Sequence, residues 1–346
     1  MRALEGITVL DLTRLLPGAF ATQWLADFGA EVIKIEQPGT GDYARSAFPP
    51  VFEFTNRGKK SVEIDLKDVK NREKMLGLAA RADVLIEGFR PGVMDRLGFG
   101  YEVLRAVNPR IIYAALTGYG RQGEFSHLAG HDINYLALSG VLDLMGAKNG
   151  PPVLAGIQIA DLAGGSMQAV IGILLALEAR HRTGRGQRVD VSMFDGSAAL
   201  MAVPVSFWRA TGQPPRRGDD PLSGRYACYQ IYAAARGSYL TVGALEPKFW
   251  SNLCRELGRE DFIADQYAGE ARQSEMKRAL AEKFAAATAE EWFARLGEKD
   301  CCVAPVRNLK DAIRHYPASP IPALGETPGR SETRVPALGE HNSIAS

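Results

Sequence analysis

The sequence is short of the features that would mark a disulfide scaffold, a zinc protein, a nucleic-acid binder or a membrane span. Its four cysteines in 346 residues, Cys228, Cys254, Cys301 and Cys302, form no Cys-x-x-Cys pair and have no histidine at zinc spacing. They read as reduced, structural thiols, and no metal site is expected. Lys and Arg (41) balance Asp and Glu (40) to a net charge of +1, which gives no basic field for nucleic acid. No run of eighteen apolar residues occurs to span a bilayer, and Met1 to Thr8 lacks the charged-then-apolar pattern of a signal peptide. A cytoplasmic location is the expectation, without nucleic-acid or membrane partners.

What is present is the composition of a globular protein, 46% apolar and 23% charged. Single cores stop growing near ~250–300 residues, so two domains are expected. Ile7–Leu12 reads as a buried strand, 18–29 as an apolar-periodic helix and 31–36 as a second strand, a βαβ unit at the start. Further strands are expected at 61–65, 83–86, 111–116 and 188–192. Helices are expected near 69–81, 101–107, 131–145 and 164–182. The alternation predicts an α/β fold with a doubly wound, mostly parallel, Rossmann-like sheet over 1–210.

Residues 211–224, rich in Gly, Pro, Arg and Asp, resemble a linker. A smaller α+β domain is expected over 225–310, with strands at 229–233 and 239–242 and helices near 247–257, 272–287 and 289–296. The Pro- and Gly-rich remainder, 311–346, repeats Pro-Ala-Leu-Gly-Glu at 322–326 and 336–340 and is expected to wrap back on the large domain.

Gly118-Tyr-Gly120-Arg-Gln-Gly123 formally matches a dinucleotide fingerprint. The glycines of a true fingerprint open into a helix, whereas 124–130 reads as loop, so a flexible turn is the simpler reading. Gly130-His-Asp-Ile-Asn-Tyr135 then marks a helix start with His131 in its first turn, where a neutral imidazole can act as general base. The plainer alternative is a helix cap. Asp161 precedes the apolar stretch 167–177. The helix dipole there favours an ionised base or nucleophile, and Gly164 and Gly165 would clear a ligand's approach. An ordinary N-cap is again the plainer role.

Taken together, 30–36 (Ala-Glu-Val-Ile-Lys-Ile-Glu), 56–61 (Asn-Arg-Gly-Lys-Lys-Ser), 83–88 (Asp-Val-Leu-Ile-Glu-Gly), 90–93 (Arg-Pro-Gly-Val), 130–135 and 184–190 (Gly-Arg-Gly-Gln-Arg-Val-Asp) resemble the family III CoA-transferase (CaiB/BaiF) superfamily. The likeness runs in order to about Val306 and looks most like the α-methylacyl-CoA racemase branch.

The resemblance implies that His131 and Asp161 are the acid/base pair. It also implies that Glu246, in Gly243-Ala-Leu-Glu246-Pro-Lys-Phe249, orients the histidine. Two bases on opposite faces of an enolate are what inversion of an α-carbon needs, and each positioned group contributes typically ~10²–10⁴-fold. The enolate oxygen needs a donor, for which the Asp161 backbone N–H or nearby glycines are expected.

Coenzyme A, as part of the substrate and not as a tightly bound cofactor, is implied to lie over the carboxyl ends of the strands, near Ile64, Leu66, Gly88, Gly130, Asp132 and Tyr135. Lys67, Arg90 and Arg96 would meet its phosphates and Phe89 its adenine, although each of these side chains also fits plain solvated surface. Gln37 and Ile157 depart from the racemase pattern, in which arginine and asparagine are frequent. Members of the family are interlocked homodimers, so Glu246 is expected to act across subunits. The stretch 156–161 also resembles the transferase branch, whose aspartate attacks a thioester; CoA transfer through Asp161 is the alternative activity.

Overall fold

Six short strands carry the first unit in the computed structural model, which describes residues 1–316 and 322–345. They are β1 (Thr8–Leu12), β2 (Glu31–Glu36), β3 (Lys60–Glu63), β4 (Val84–Glu87), β5 (Ile112–Thr117) and β6 (Arg188–Ser192). All pair in parallel in the order β3-β2-β1-β4-β5-β6, and the order reverses between β1 and β4.

Successive side chains point to opposite faces, and both faces are buried. Val9, Val32, Val84 and Ile112 pack beneath the helices Pro17–Asp27 and Gln168–Thr183. Leu10, Ile33, Val62 and Leu85 pack on the other side with Met75 and Leu78 of Arg72–Arg81 and Leu104 of Tyr101–Val107. The sheet is therefore doubly wound, as the apolar runs predict.

The C-terminal residues cover the free edge of β3. His341 N–H donates to Ser61 O at 2.9 Å, Glu63 N–H to Asn342 Oδ1 at 2.7 Å, and Gly58 N–H to Arg334 O at 2.7 Å. An edge strand left bare would template pairing with another chain.

This first unit comprises 1–142, 154–202 and the described residues from 322 on. The second comprises 143–153 and 203–316, so the division falls after Ala202 rather than within 211–224. Residues expected as a linker are instead tied down: the Arg217 guanidinium bonds Asp143 Oδ1 at 2.6 Å and also the Gly150 carbonyl. The second unit holds an antiparallel sheet of β7 (Tyr229–Ala233), β8 (Tyr239–Gly243) and β9 (Val303–Pro305). Trp250, Phe262, Phe284 and Trp292 fill its core, and the two indole N–H groups donate to the carbonyls of Phe262 and Phe284.

Three expectations need correction. The helix expected over 131–145 ends at Leu138, because Gly140 takes the left-handed conformation (φ 83) and the chain resumes as a 3₁₀ turn, Leu142–Leu144. The helix expected from 164 starts at Ala160, and its first eight residues, Ala160–Met167, are π-helical before Gln168–Thr183 continues as α-helix. The whole 160–183 stretch is long and apolar enough to cross a membrane by length and composition, but Ala169, Val170, Ile173, Ala176 and Leu177 are buried against the sheet. Finally, the helix Ala289–Leu296 does not close the second unit, because β9 follows it.

Candidate active site

Two cavities lie at the carboxyl ends of the parallel strands, where open α/β sheets place ligands. The first, of about 480 Å³, is walled by the segments that follow β1, β4 and β5: Thr13 and Arg14, Gly88 to Pro91, and Gly118 to Gly120. The second, of about 400 Å³, lies over the ends of β2 and β3 and is walled by Gln37, Ile64, Leu66 and Lys67. Arg14 and Phe89 belong to both walls.

His131, Gly130, Asn134 and Tyr135 line the first cavity. His131 is the extended residue (φ −129, ψ 178) ahead of the helix Asp132–Leu138, and its backbone N–H is held by Asn134 Oδ1 at 3.0 Å. The Tyr135 hydroxyl donates to Gly130 O at 2.5 Å, which folds the loop onto the helix. Burial and then the negative charge of Asp161 raise that phenol to about 12, so it stays protonated.

Asp161 is not among the residues that line this cavity and is tied to the His131 segment through its backbone. Its N–H donates to Asp132 Oδ1 at 2.9 Å, and its carbonyl accepts from the Ser166 hydroxyl at 2.8 Å. The same hydroxyl reaches Pro17 O, a residue of the cavity wall, at 2.6 Å. A π-turn carries one more residue between bonded groups than an α-turn and is frequent at functional positions.

Three expectations about Asp161 change. Burial, reinforced by the charge of Asp132, raises its carboxyl to about 7, so the helix dipole does not keep it firmly ionised. Its N–H is already engaged by Asp132 and is not a free donor for an enolate oxygen. Gly164 and Gly165 admit a neighbouring helix and not a ligand: a Cβ on Gly164 would lie 2.8 Å from Met193 O, and one on Gly165 would lie 2.8 Å from Met193 Cγ.

Of the residues expected at coenzyme A, Ile64, Leu66, Lys67 and Phe89 line the second cavity, and Gly88, Phe89, Arg90, Gly130 and Tyr135 line the first. Asp132 is occupied with the Asp161 backbone, and Arg96 lies outside both walls with its guanidinium near Gly92. Phe89 packs against the Arg14 guanidinium, 5.4 Å from the ring centre. Glu246 is in the second unit, exposed at the N-cap of Pro247–Leu257 and making no side-chain cap bond.

Sequence reasoning passed over the support beneath these walls. Asp11, on β1, is fully buried and accepts from Thr13 Oγ1 (2.6 Å), Thr22 Oγ1 (2.6 Å) and Lys59 Nζ (3.1 Å). Lys34, opposite it on β2, donates to Thr13 O at 2.9 Å and pairs with Asp42 at 3.0 Å. Burial pushes the Asp11 acid up, but the two ammonium groups and two hydroxyls outweigh it and hold the group well below the usual carboxylate range. Burial lowers Lys59 to about 8 against the attraction of Asp11.

The turn so anchored contains Leu15 in the left-handed region (φ 61), with its N–H fixed by Asp42 Oδ1 at 3.1 Å. Such strain costs of order 1–3 kcal/mol and persists where the surroundings over-determine it. At the end of β4, Glu87 accepts from Phe89 N–H at 2.7 Å and from the Tyr113 hydroxyl at 3.2 Å, and burial raises its carboxyl to about 7. Among the described residues, no cluster of three or more His, Cys, Asp or Glu is placed to hold a metal ion.

The model of CoA-transferase family III matches residues 4–342. The chain belongs to CoA-transferase family III. Human α-methylacyl-CoA racemase is 38% identical, over 98% of this chain and 91% of its own. Acetyl-CoA:oxalate CoA-transferase of Acetobacter aceti is 37% identical, over 89% of this chain and 82% of its own. The crystal structure of a CaiB/BaiF family protein from Brucella suis superposes with a TM-score of 0.86 at 28% identity, covering 99% of this chain and 98% of that one. Family III membership thus rests on nearly the whole length, and its relatives include both a racemase and a transferase at similar identity.

Proposed function

We propose that this family III member is an acyl-CoA enzyme that inverts the α-carbon of a 2-methylacyl-CoA. One of His131 and Asp161 removes the α-proton, and the C–H electron pair moves into the thioester carbonyl to give an enolate. The other group then delivers a proton to the opposite face, so one C–H bond is broken and one is formed.

The observation that carries this reading is the placement of His131 on the cavity wall with its neighbour Asp132 bonded to the Asp161 backbone. Burial also raises the Asp161 carboxyl to about 7, where it can hold and release a proton. The similarity to the human racemase supports the substrate class.

Glu246 is proposed to orient His131 from the second copy of a homodimer. Its carboxylate is not spent on capping its own helix, and the exposed Ile171, Leu174 and Leu175 offer the first unit's apolar face to another chain. Sedimentation at micromolar protein is expected to give a dimer.

The second reading is transfer of CoA to a carboxylic acid through a thioester on Asp161, which the similarity to the oxalate transferase supports. Incubation of a 2-methylacyl-CoA in deuterated water, with and without an acceptor acid, separates the two by mass spectrometry. Racemisation puts deuterium on the α-carbon without acceptor. CoA reaching the acceptor while the α-carbon stays unlabelled would replace the first reading with the second.

A further inference from the structure

The two cavities share one charged side chain that no part of the proposed reaction uses. Arg14 lies on the wall of both, beside the histidine-bearing cavity on one side and Lys67 and Gln37 on the other. Its guanidinium sits over the Tyr43 ring at 5.0 Å and the Phe89 ring at 5.4 Å, and Nη1 donates to the Tyr43 hydroxyl at 2.9 Å. Among the described residues, no carboxylate lies within ion-pair distance of it. The acids of the second cavity are otherwise engaged: Glu36 holds Arg45 at 2.7 Å and Ser61 at 2.6 Å, and Asp65 accepts from Lys67 N–H at 3.0 Å.

Arg14 is also held more firmly than a surface arginine. Thr13 before it is pinned by Asp11, Leu15 after it is locked in a left-handed turn by Asp42, and both acids answer to the buried Lys34. A planar guanidinium, stacked on rings and lacking a carboxylate, presents its remaining N–H groups as a fork for an anion.

We propose that Arg14 binds the diphosphate of the coenzyme A carrier from its place on the walls of both cavities. It would act with Lys67, in a cavity to which Gln37 contributes no charge. This rests on the acyl-CoA reading above. A molecule that occupies both cavities would lie against Arg14 and Phe89, which line both. The diphosphate is the part of the carrier that such a cation rewards, because the pantetheine arm is uncharged. Arg14 thereby selects the carrier, leaving the acyl group to other residues.

The test compares the KM of an acyl-CoA with that of the same acyl group on pantetheine, which lacks the diphosphate and nucleotide, in the wild type, Arg14→Gln and Arg14→Lys. The proposal expects the wild type to favour the CoA ester. Arg14→Gln should reduce that preference roughly 10- to 100-fold by raising the KM of the CoA ester, and Arg14→Lys should restore part of it, since an ammonium keeps the charge but not the fork. If the wild type favours the CoA ester and both variants keep the full preference, Arg14 does not bind the diphosphate and the proposal is overturned while the acyl-CoA reading stands. If the wild type handles both thioesters alike, the carrier reading itself fails and takes this proposal with it.

Discussion

Asp132 Oδ1 accepts a hydrogen bond from the backbone N–H of Asp161 at 2.9 Å, so the residue beside His131 fixes the start of the helix that carries the other acid/base candidate. Asp132→Asn keeps an oxygen in that place and removes the charge that helps raise Asp161. Asp132→Ala removes both. Proton exchange is expected to fall by as much as ~10²-fold in the alanine variant, in line with the cost of small misplacements, and by much less in the asparagine variant. Initial rates of deuterium incorporation would decide it. Equal losses in the two variants would show that charge, and not position, is what Asp132 supplies.

The pH dependence distinguishes the two activities by the sign of its slope. Proton exchange requires His131 and Asp161 to hold one proton between them, so kcat/KM should fall as pH rises through about 7 and Asp161 loses its proton. Aspartyl nucleophilic attack requires the anion, and its rate should rise across the same interval. His131→Ala and Asp161→Asn should each lower exchange by ~10²–10⁴-fold.

Glu87 gives a stability test. Its carboxyl is raised to about 7 by burial, above its range in an unfolded chain, so the folded protein holds a proton that the unfolded chain has already released. The resulting penalty builds as pH climbs from the ordinary carboxylate range and is complete above about 7. Glu87→Gln should therefore stabilise the protein more at pH 8 than at pH 5 in urea titrations. A pH-independent difference would show that Glu87 does not titrate in this range.

Truncating Asp11 leaves Lys34 and Lys59 facing each other without their shared partner, both fully buried. Removing one member of a buried charged group typically costs ~3–5 kcal/mol, so Asp11→Ala should lower the urea midpoint strongly. Because the Asp11 acid is held below its usual range, its contribution is present at neutral pH and is lost only as the solution is made acidic.

The parallel sheet was legible because its strands are short apolar runs between helical periods; β2 and β6 have the bounds expected from the sequence. Asp11 and Lys34 leave a trace in the sequence. Each interrupts an apolar strand, and in the sheet they lie opposite one another in register, each with a closer ionic partner of its own in Lys59 and Asp42. β9 left little trace because it is three residues long and ends in Pro305.

At the site, the motif around His131 reads as a helix start bearing a candidate base, and the structure puts that residue on a cavity wall. The raised carboxyl of Asp161 comes from burial and then from Asp132 on another element, which spacing along the chain does not encode. The tight approach of Gly164 and Gly196, where a Cβ on Gly196 would lie 1.9 Å from Gly164 O, is likewise a property of the crossing and not of either segment.

The π-turned opening of the helix makes its phase a separate quantity from its stability. Each residue of an α-helix turns the chain by about 100°, so deleting one residue between 161 and 166 would let the segment relax to ordinary α-geometry while rotating Asp161 away from Asp132. A protein altered in that way is expected to lose the bond between Asp161 N–H and Asp132. In this scaffold, then, the register of a single turn sets where Asp161 stands relative to Asp132.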